Sequence, residues 1–284
     1  MTFRQFYQKN DFSKINKAVF FYLLFFLSKT VKNYDDFVKN IESDIDFNFE
    51  IFKKHIQEYL KNKSLSHIIK RIKFLNIELD IFPNILSPRD ETENLVQDLI
   101  ELFKKDDFFK KKRKIRVIDV CCGSGNIGLS LKKNIDCEVD CLDIEQNAIK
   151  NTKHNAKLNN LRIKTILTDC TDFSSYKKKY DILVCNPPYV FEKDFDISLL
   201  ENEDKKCFID KKGDFFIYKF LISNYKIIMN KKSLMVFEIG INMEDELEKY
   251  LLSFKTKFNF YFKKDLSQIT RVLYVWSKGS NLEI

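Results

Sequence analysis

A chain of 284 residues, 44% hydrophobic and 32% charged, is long enough to bury a full core in one or two domains, which excludes a disordered protein. Its net charge of +8 comes from lysines spread along the sequence and not from an Arg-rich stripe, so it reads as general Lys enrichment, not as a nucleic-acid surface. The seven cysteines, at 121, 122, 137, 141, 170, 185 and 207, lie mostly in apolar runs and, with three scattered histidines, match no zinc spacing. That usage points to a reducing cytoplasm or organelle interior and to no bound metal.

From residue 1 to about 70, apolar positions recur three and four apart in 12–30, 34–44 and 48–62, separated by Asn, Asp and Ser. A small helical domain is expected there. Its most hydrophobic stretch, AVFFYLLFFL from Ala18 to Leu27, is too short to span a bilayer and leaves through the polar Ser28-Lys29-Thr30, so it reads as a buried helix. On its residues alone this domain is either a partner-recognition module or a stabilising appendage. Over 71–92 the period changes: Ile77, Leu79 and Ile81 alternate with polar residues, and Pro83 and Pro88 punctuate a loop, as in a β-hairpin linker. Thr92 then reads as the cap of a helix starting near Glu93, with Leu95, Val96, Leu99, Ile100 and Phe103 on one face. The lysines from 104 to 114 read as a solvated loop, with nucleic-acid contact as the second reading.

From Lys114 to the end, strands and helices alternate. Ile115–Val120, Glu138–Leu142, Ile163–Leu167 and Asp181–Cys185 are expected as buried parallel strands, with a glycine turn and helix after the first. A helix over Phe215–Met229, a strand over Ser233–Ile239 and a helix over Glu244–Phe254 follow. Phe258–Phe262 and Arg271–Trp276 are joined by too little chain for a crossover helix and must be antiparallel. The expected fold is an α/β domain over 93–284 with a mostly parallel seven-stranded sheet and one reversed edge strand.

The fourth strand ends in Asn186-Pro187-Pro188-Tyr189, because paired prolines lack N–H donors and stop the ladder. The Asn186 carboxamide oxygen and the Pro187 carbonyl are two acceptors able to converge on one NH2 group, and Tyr189 adds a flat face for a planar substrate. Such a device aligns an amide or amino nitrogen for alkylation. Upstream, Gly123-x-Gly125-x-x-Gly128 fits a dinucleotide fingerprint, so an oxidoreductase has to be considered. No further catalytic domain follows, however, and hydride transfer has no use for an amide-Pro-Pro-aromatic device. S-adenosylmethionine suits better: Asp119 near its charged methionine part, Asp143, about 20 residues past the first glycine, on the ribose, and Asp169 with Cys170 by the adenine.

These residues resemble the HemK/PrmC family. DVCCGSGNIG (119–128), CLDIE around Asp143, TDC (168–170), NPPYV (186–190), FEIG (237–240) and KDLSQITRVL (264–273) stand in the family's order and at similar spacing, and SPRDETE (87–93) is similar to its linker motif. The resemblance covers nearly the whole chain. It implies a Rossmann-like class I methyltransferase that methylates N5 of the glutamine in the Gly-Gly-Gln motif of peptide-chain release factors. It places Cys121, Cys122, Gly123, Ser124, Gly125, Asp143, Asp169 and Cys170 on S-adenosylmethionine, with Asn186 touching it too, and Asn186, Pro187, Pro188 and Tyr189 on the substrate glutamine as the catalytic residues. It further implies a monomer that recognises a free release factor through its helical domain, with no membrane and no stable nucleic-acid partner. Cys121 stands where the family has a glycine, Asp90 where it has a proline, and 201–216 reproduces the family pattern poorly. Because NPPY is shared with adenine N6 and guanine N2 methyltransferases, a nucleic-acid enzyme is the rival reading, and a non-catalytic methyltransferase-like binding protein is a second.

Overall fold

In the computed structural model, which describes residues 1–9, 15–61, 63, 65–106, 114–190, 209–210, 213–265, 267–279 and 282, the chain divides into two units, Met1–Lys70 and Arg71–Ile284. The first unit contains α1 (Phe3–Lys9), α2 (Lys17–Leu27), α3 (Tyr34–Lys39), α4 (Phe49–Leu60) and α5 (Leu65–Ile69). Asparagine starts three of these helices. The carboxamides of Asn16, Asn33 and Asn48 accept the N–H of Ala18, Asp36 and Glu50, groups that a first helical turn otherwise leaves unpaired. Along α2, Phe20, Leu23 and Leu24 are fully enclosed, and Phe6 meets Phe20 and Phe52 with ring centroids 5.5 and 4.9 Å apart. Among the described residues no helix is long and apolar enough to cross a membrane.

The second unit opens with the hairpin β1 (Arg71–Phe74) and β2 (Ile77–Asp80), followed by α6 (Asp90–Lys105), whose apolar face from Leu95 to Phe103 is buried. Then come β3 (Ile115–Val120), α7 (Asn126–Asn134), β4 (Cys137–Asp143), α8 (Gln146–Leu158), β5 (Lys164–Leu167) and β6 (Tyr180–Cys185). After them stand α9 (Phe216–Ser223), α10 (Tyr225–Ile228), β7 (Met229–Glu238), α11 (Glu244–Leu252), β8 (Phe258–Lys264) and β9 (Thr270–Ser277). The sheet order is β5-β4-β3-β6-β7-β9-β8. The reversed strand is present but lies one place in from the edge: β9 pairs antiparallel with both β7 and β8, so β8, parallel to β7, takes the edge. The helix expected over Phe215–Met229 is two, divided at Asn224, whose amide turns back to the Phe220 carbonyl (2.9 Å), and Met229 already belongs to β7.

Three asparagines on α8 and its C-cap dock the hairpin. Asn159 pairs with both the N–H (3.0 Å) and the C=O (2.6 Å) of Glu78, and Asn155 does the same with Asp80 (2.9 and 3.1 Å). Asn151 takes the Phe82 N–H (3.2 Å) and donates to the Asp80 carbonyl (2.8 Å). Each carboxamide therefore imitates a strand's peptide group. Near the amino end of the sheet, buried Asp181 accepts the Arg116 N–H (3.0 Å), and in the middle of β4 Asp140 accepts from Tyr180 (2.7 Å) and Lys178 (3.1 Å). Both acids are engaged by these partners, away from the edge where ligands of such sheets bind.

Asp119, in β3, is wholly enclosed; its Oδ2 accepts the Gly128 N–H at 2.8 Å, fastening α7 to the strand, while Oδ1 has no partner among the described residues. Gly128 has to be a glycine: a Cβ there would lie 2.9 Å from both Asp119 Oδ2 and Cys141 Sγ. Burial, with the nearby Asp143 charge adding to it, pushes the Asp119 carboxyl up to about 7. Gly128→Ala is expected to cost about 1–3 kcal/mol by overpacking, read from urea unfolding. The folded chain keeps the Asp119 proton after the unfolded chain has released it, so stability falls as pH rises from about 4 towards 7, by at most roughly 4 kcal/mol from this group, and stays down above 7. In Asp119→Asn the decline in unfolding free energy between about pH 5 and pH 8 should be shallower than in the unmodified chain, whatever the offset.

Candidate functional site

Four strands stop within one residue of a common level. Val120 is in register with Leu142 of β4 and Cys185 of β6, and Cys185 with Phe237 of β7. One residue further on, Cys121, Asp143, Asn186 and Glu238 therefore form a row across the carboxyl edge, with neighbouring strands about 4.8 Å apart.

The turn after β3 is held by the protein's own groups. Cys121, Gly123 and Gly125 have φ of 59°, 53° and 81°, a left-handed backbone that favours glycine. At Cys121, where the residue is not glycine, the thiol donates a hydrogen bond to the Cys185 sulfur; that hydrogen bond and burial push the Cys121 thiol well up, so it stays protonated. The Cys122 N–H donates to the Leu142 carbonyl (3.1 Å), and the Gly123 and Ser124 carbonyls accept from Thr152 (3.0 Å) and Asn155 (2.9 Å) of α8. At Gly125 a Cβ would strike Thr152 at 2.9 Å, so packing requires the glycine. At Gly123 the nearest atom to such a Cβ is Ile85 at 4.0 Å, which leaves an open face over the turn.

Asp143 links β4 to that turn. Its Oδ2 accepts the Gly123 N–H and its Oδ1 the Glu145 N–H, both at 2.9 Å, and burial raises its carboxyl. Asp169 bonds the N–H (2.9 Å) and hydroxyl (2.8 Å) of Thr171, and the Cys170 carbonyl accepts the Tyr176 hydroxyl (2.7 Å), so both residues shape the loop after β5. Two residues not singled out in the sequence belong to this edge: Ile144 and Leu167, 62% and 52% exposed. Leu167 is in register with Asp143. Exposed aliphatic side chains immediately beside strand-terminal acids were the available signal.

These residues fit S-adenosylmethionine. The open face at Gly123 admits a ligand against backbone, Asp119 has an unpaired carboxylate oxygen, and exposed aliphatic groups beside Asp143 suit an aromatic base.

Asn186 follows the fully buried β6, and its neighbours come from far along the chain. The Asn186 Nδ2 lies 3.5 Å from Thr92 Oγ1, and the amide also bonds the Glu238 carboxylate. Thr92 does not cap its helix: α6 starts at Asp90 after Arg89 without a side-chain cap, and the Thr92 hydroxyl donates to Glu238 Oε2 at 2.5 Å. The first turn of α6 carries Asp90, Glu91 and Glu93, whose charges suit a helix start and free Thr92 for this bond. Tyr189 is half-buried, and burial followed by the Glu238 charge pushes its hydroxyl up to about 12, so it remains a neutral phenol. Its ring lies over Gly240, where a Cβ would come within 2.8 Å of Tyr189 Cδ2. Past Pro187 and Pro188 the chain bridges Val190 to Ile209. Most of the divergent 201–216 stretch, Cys207 included, and residues 107–113 of the basic loop lie outside the described residues.

Residues 96–234 match the family described as Methyltransferase small domain. The chain is 30% identical to the Release factor glutamine methyltransferase of Bacillus subtilis over 194 residues, 66% of this chain and 67% of that protein. With the enzyme of the same name from Mycoplasma mycoides it shares 28% identity over 281 residues, 94% and 95% of the two chains. A methyltransferase from Pyrococcus furiosus shares the fold, with a TM-score of 0.52 at 12% identity over 79% of this chain and 98% of that one. The Mycoplasma match spans nearly the whole chain, helical unit included, and the Bacillus match reaches 30% identity over two thirds of that protein; on that ground the chain belongs to the release factor glutamine methyltransferase family.

Proposed function

We propose that this protein methylates N5 of a glutamine side chain in a peptide-chain release factor, in its Gly-Gly-Gln motif, using S-adenosylmethionine. The observation that carries the reading is the place of Asn186, in the same edge row as the glycine turn, within a chain whose relatives are release factor glutamine methyltransferases. When bound, S-adenosylmethionine supplies an activated methyl group on a cationic sulfur.

The chain's residues bind and align. Cys121 to Gly125 offer a backbone cradle, with Asp119 near the charged methionine part of the cofactor, Asp143 on its ribose, and Asp169 and Cys170 by its adenine. The Asn186 Oδ1 and the Pro187 carbonyl accept hydrogen bonds from the two N–H groups of the substrate NH2, which orients the nitrogen lone pair and fixes the amide plane against Tyr189. Catalysis is mainly positioning: the leaving group is already activated, and the methylated nitrogen gives up one of its two protons after transfer, so no strong base is needed. In this reading the helical unit recognises the release factor. The chain works as a monomer on free factor in the cytoplasm or an organelle interior and holds no stable nucleic acid.

With labelled S-adenosylmethionine and purified release factor or nucleic acid in separate reactions, label is expected in the release factor alone. Label in nucleic acid with a bare factor would reverse the assignment, and failure to bind the cofactor at all would leave a binding protein. Asn186→Ala should lower kcat by about 10²–10³-fold, about 2.7–4 kcal/mol if it resembles the loss of a preorganised oxyanion-hole donor. Turnover close to that of the unmodified chain would remove Asn186 from this role.

A further inference from the structure

We propose that Thr92 and Glu238 are positioning residues that keep the Asn186 carboxamide in one of its two possible orientations, NH2 inward and Oδ1 outward. The inference rests on the functional reading only for what the outward oxygen receives. A carboxamide has a donor end and an acceptor end of nearly equal size, so shape alone does not choose between them. Turned over, it would present a donor to a substrate NH2, which is itself a donor.

Hydrogen-bond logic at this site makes the choice. Glu238 is 3% exposed and Thr92 2%, so neither can rely on bulk water. The single hydroxyl proton of Thr92 goes to Glu238 Oε2, which leaves the Thr92 oxygen only an acceptor towards Asn186. The ionised Glu238 carboxylate is also only an acceptor. Both inner partners of Asn186 therefore require NH2, and Oδ1 is left for the substrate side. The carboxylate fixes the hydroxyl, and carboxylate and hydroxyl together fix the amide.

Protonating Glu238 gives it a donor, which competes for the Thr92 oxygen and accepts the reversed carboxamide equally well. The groups facing this carboxyl are Glu91 of α6, Arg271 of β9, Tyr189 beyond β6, Thr92 and Asn186, while the Tyr218 hydroxyl donates to the Glu238 backbone carbonyl at 2.8 Å. Burial, aided by Glu91 and opposed by Thr92, Asn186 and Arg271, pushes Glu238 up to about 7. Orientation, and with it turnover, is gained as pH rises through that region.

The test compares Thr92→Val, Thr92→Ser and Glu238→Gln with the unmodified chain in release-factor methylation across pH. Alongside it, the Asn186 side-chain NH2 resonances, assigned from the backbone, are followed in the cofactor-free protein. Thr92→Val should lose about tenfold in kcat, the scale of one ordered hydrogen bond, with Thr92→Ser recovering most of it. The acid limb near pH 7 should weaken in Glu238→Gln, leaving only what Asp119 contributes in the same region. The NH2 pair should shift with the same midpoint in the unmodified chain and not in Glu238→Gln. Unchanged kcat in Thr92→Val, equal losses in the Val and Ser variants, or an NH2 pair indifferent to pH would each overturn the proposal. An unmodified chain that leaves the release factor unlabelled while its NH2 pair titrates would overturn the functional reading and support the orientation.

Discussion

Much of the second unit depends on an arithmetic match between α8 and β2. Four helical residues rise about 6.0 Å and two strand residues about 6.8 Å, so carboxamides spaced four apart on a helix can meet alternate peptide groups of an antiparallel strand. Asn151, Asn155 and Asn159 do this across Phe82, Asp80 and Glu78. The mismatch of about 0.8 Å per step is absorbed over three rungs and would exceed hydrogen-bond tolerance over many more. The middle rung has a second grip: Asn155 also donates to the Ser124 carbonyl in the glycine turn. Hairpin position and turn position are thereby set by one side chain.

Around that turn the protein collects carboxyl groups under conditions that disfavour their charge. Asp119, Asp143 and Glu238 are all raised mainly by burial, and Asp119 is raised further by Asp143. Such an edge is ill suited to an anionic pyrophosphate and well suited to a ligand bearing cationic sulfur and ammonium groups. The glycine spacing alone did not separate the two cofactors; the electrostatics of the folded edge favour the cationic one.

The strands were legible because each parallel strand is a short apolar run bounded by breakers, and Asn186 because two prolines must end β6 where it stands. What escaped was carried by partners distant in sequence. Thr92 satisfies a local rule for a helix cap, but its hydroxyl belongs to Glu238, 146 residues away, and no local pattern encodes that pairing. The place of β9 inside the sheet was hidden for the same reason: antiparallel pairing of β8 with β9 is dictated by the short turn, whereas the choice of which joins β7 is made by the completed sheet. The helix break at Asn224 is different, since its signal, a side chain able to bond its own backbone, was there to be read.

At position 240 the chain lacks a side chain where even one carbon would touch the Tyr189 ring. The phenol can therefore lie flush on the main chain, as a flat floor and not a raised lip. The thickness of whatever slides over it is set by an atom that is missing, and any larger residue there would tilt the floor while pressing on the Met243 sulfur.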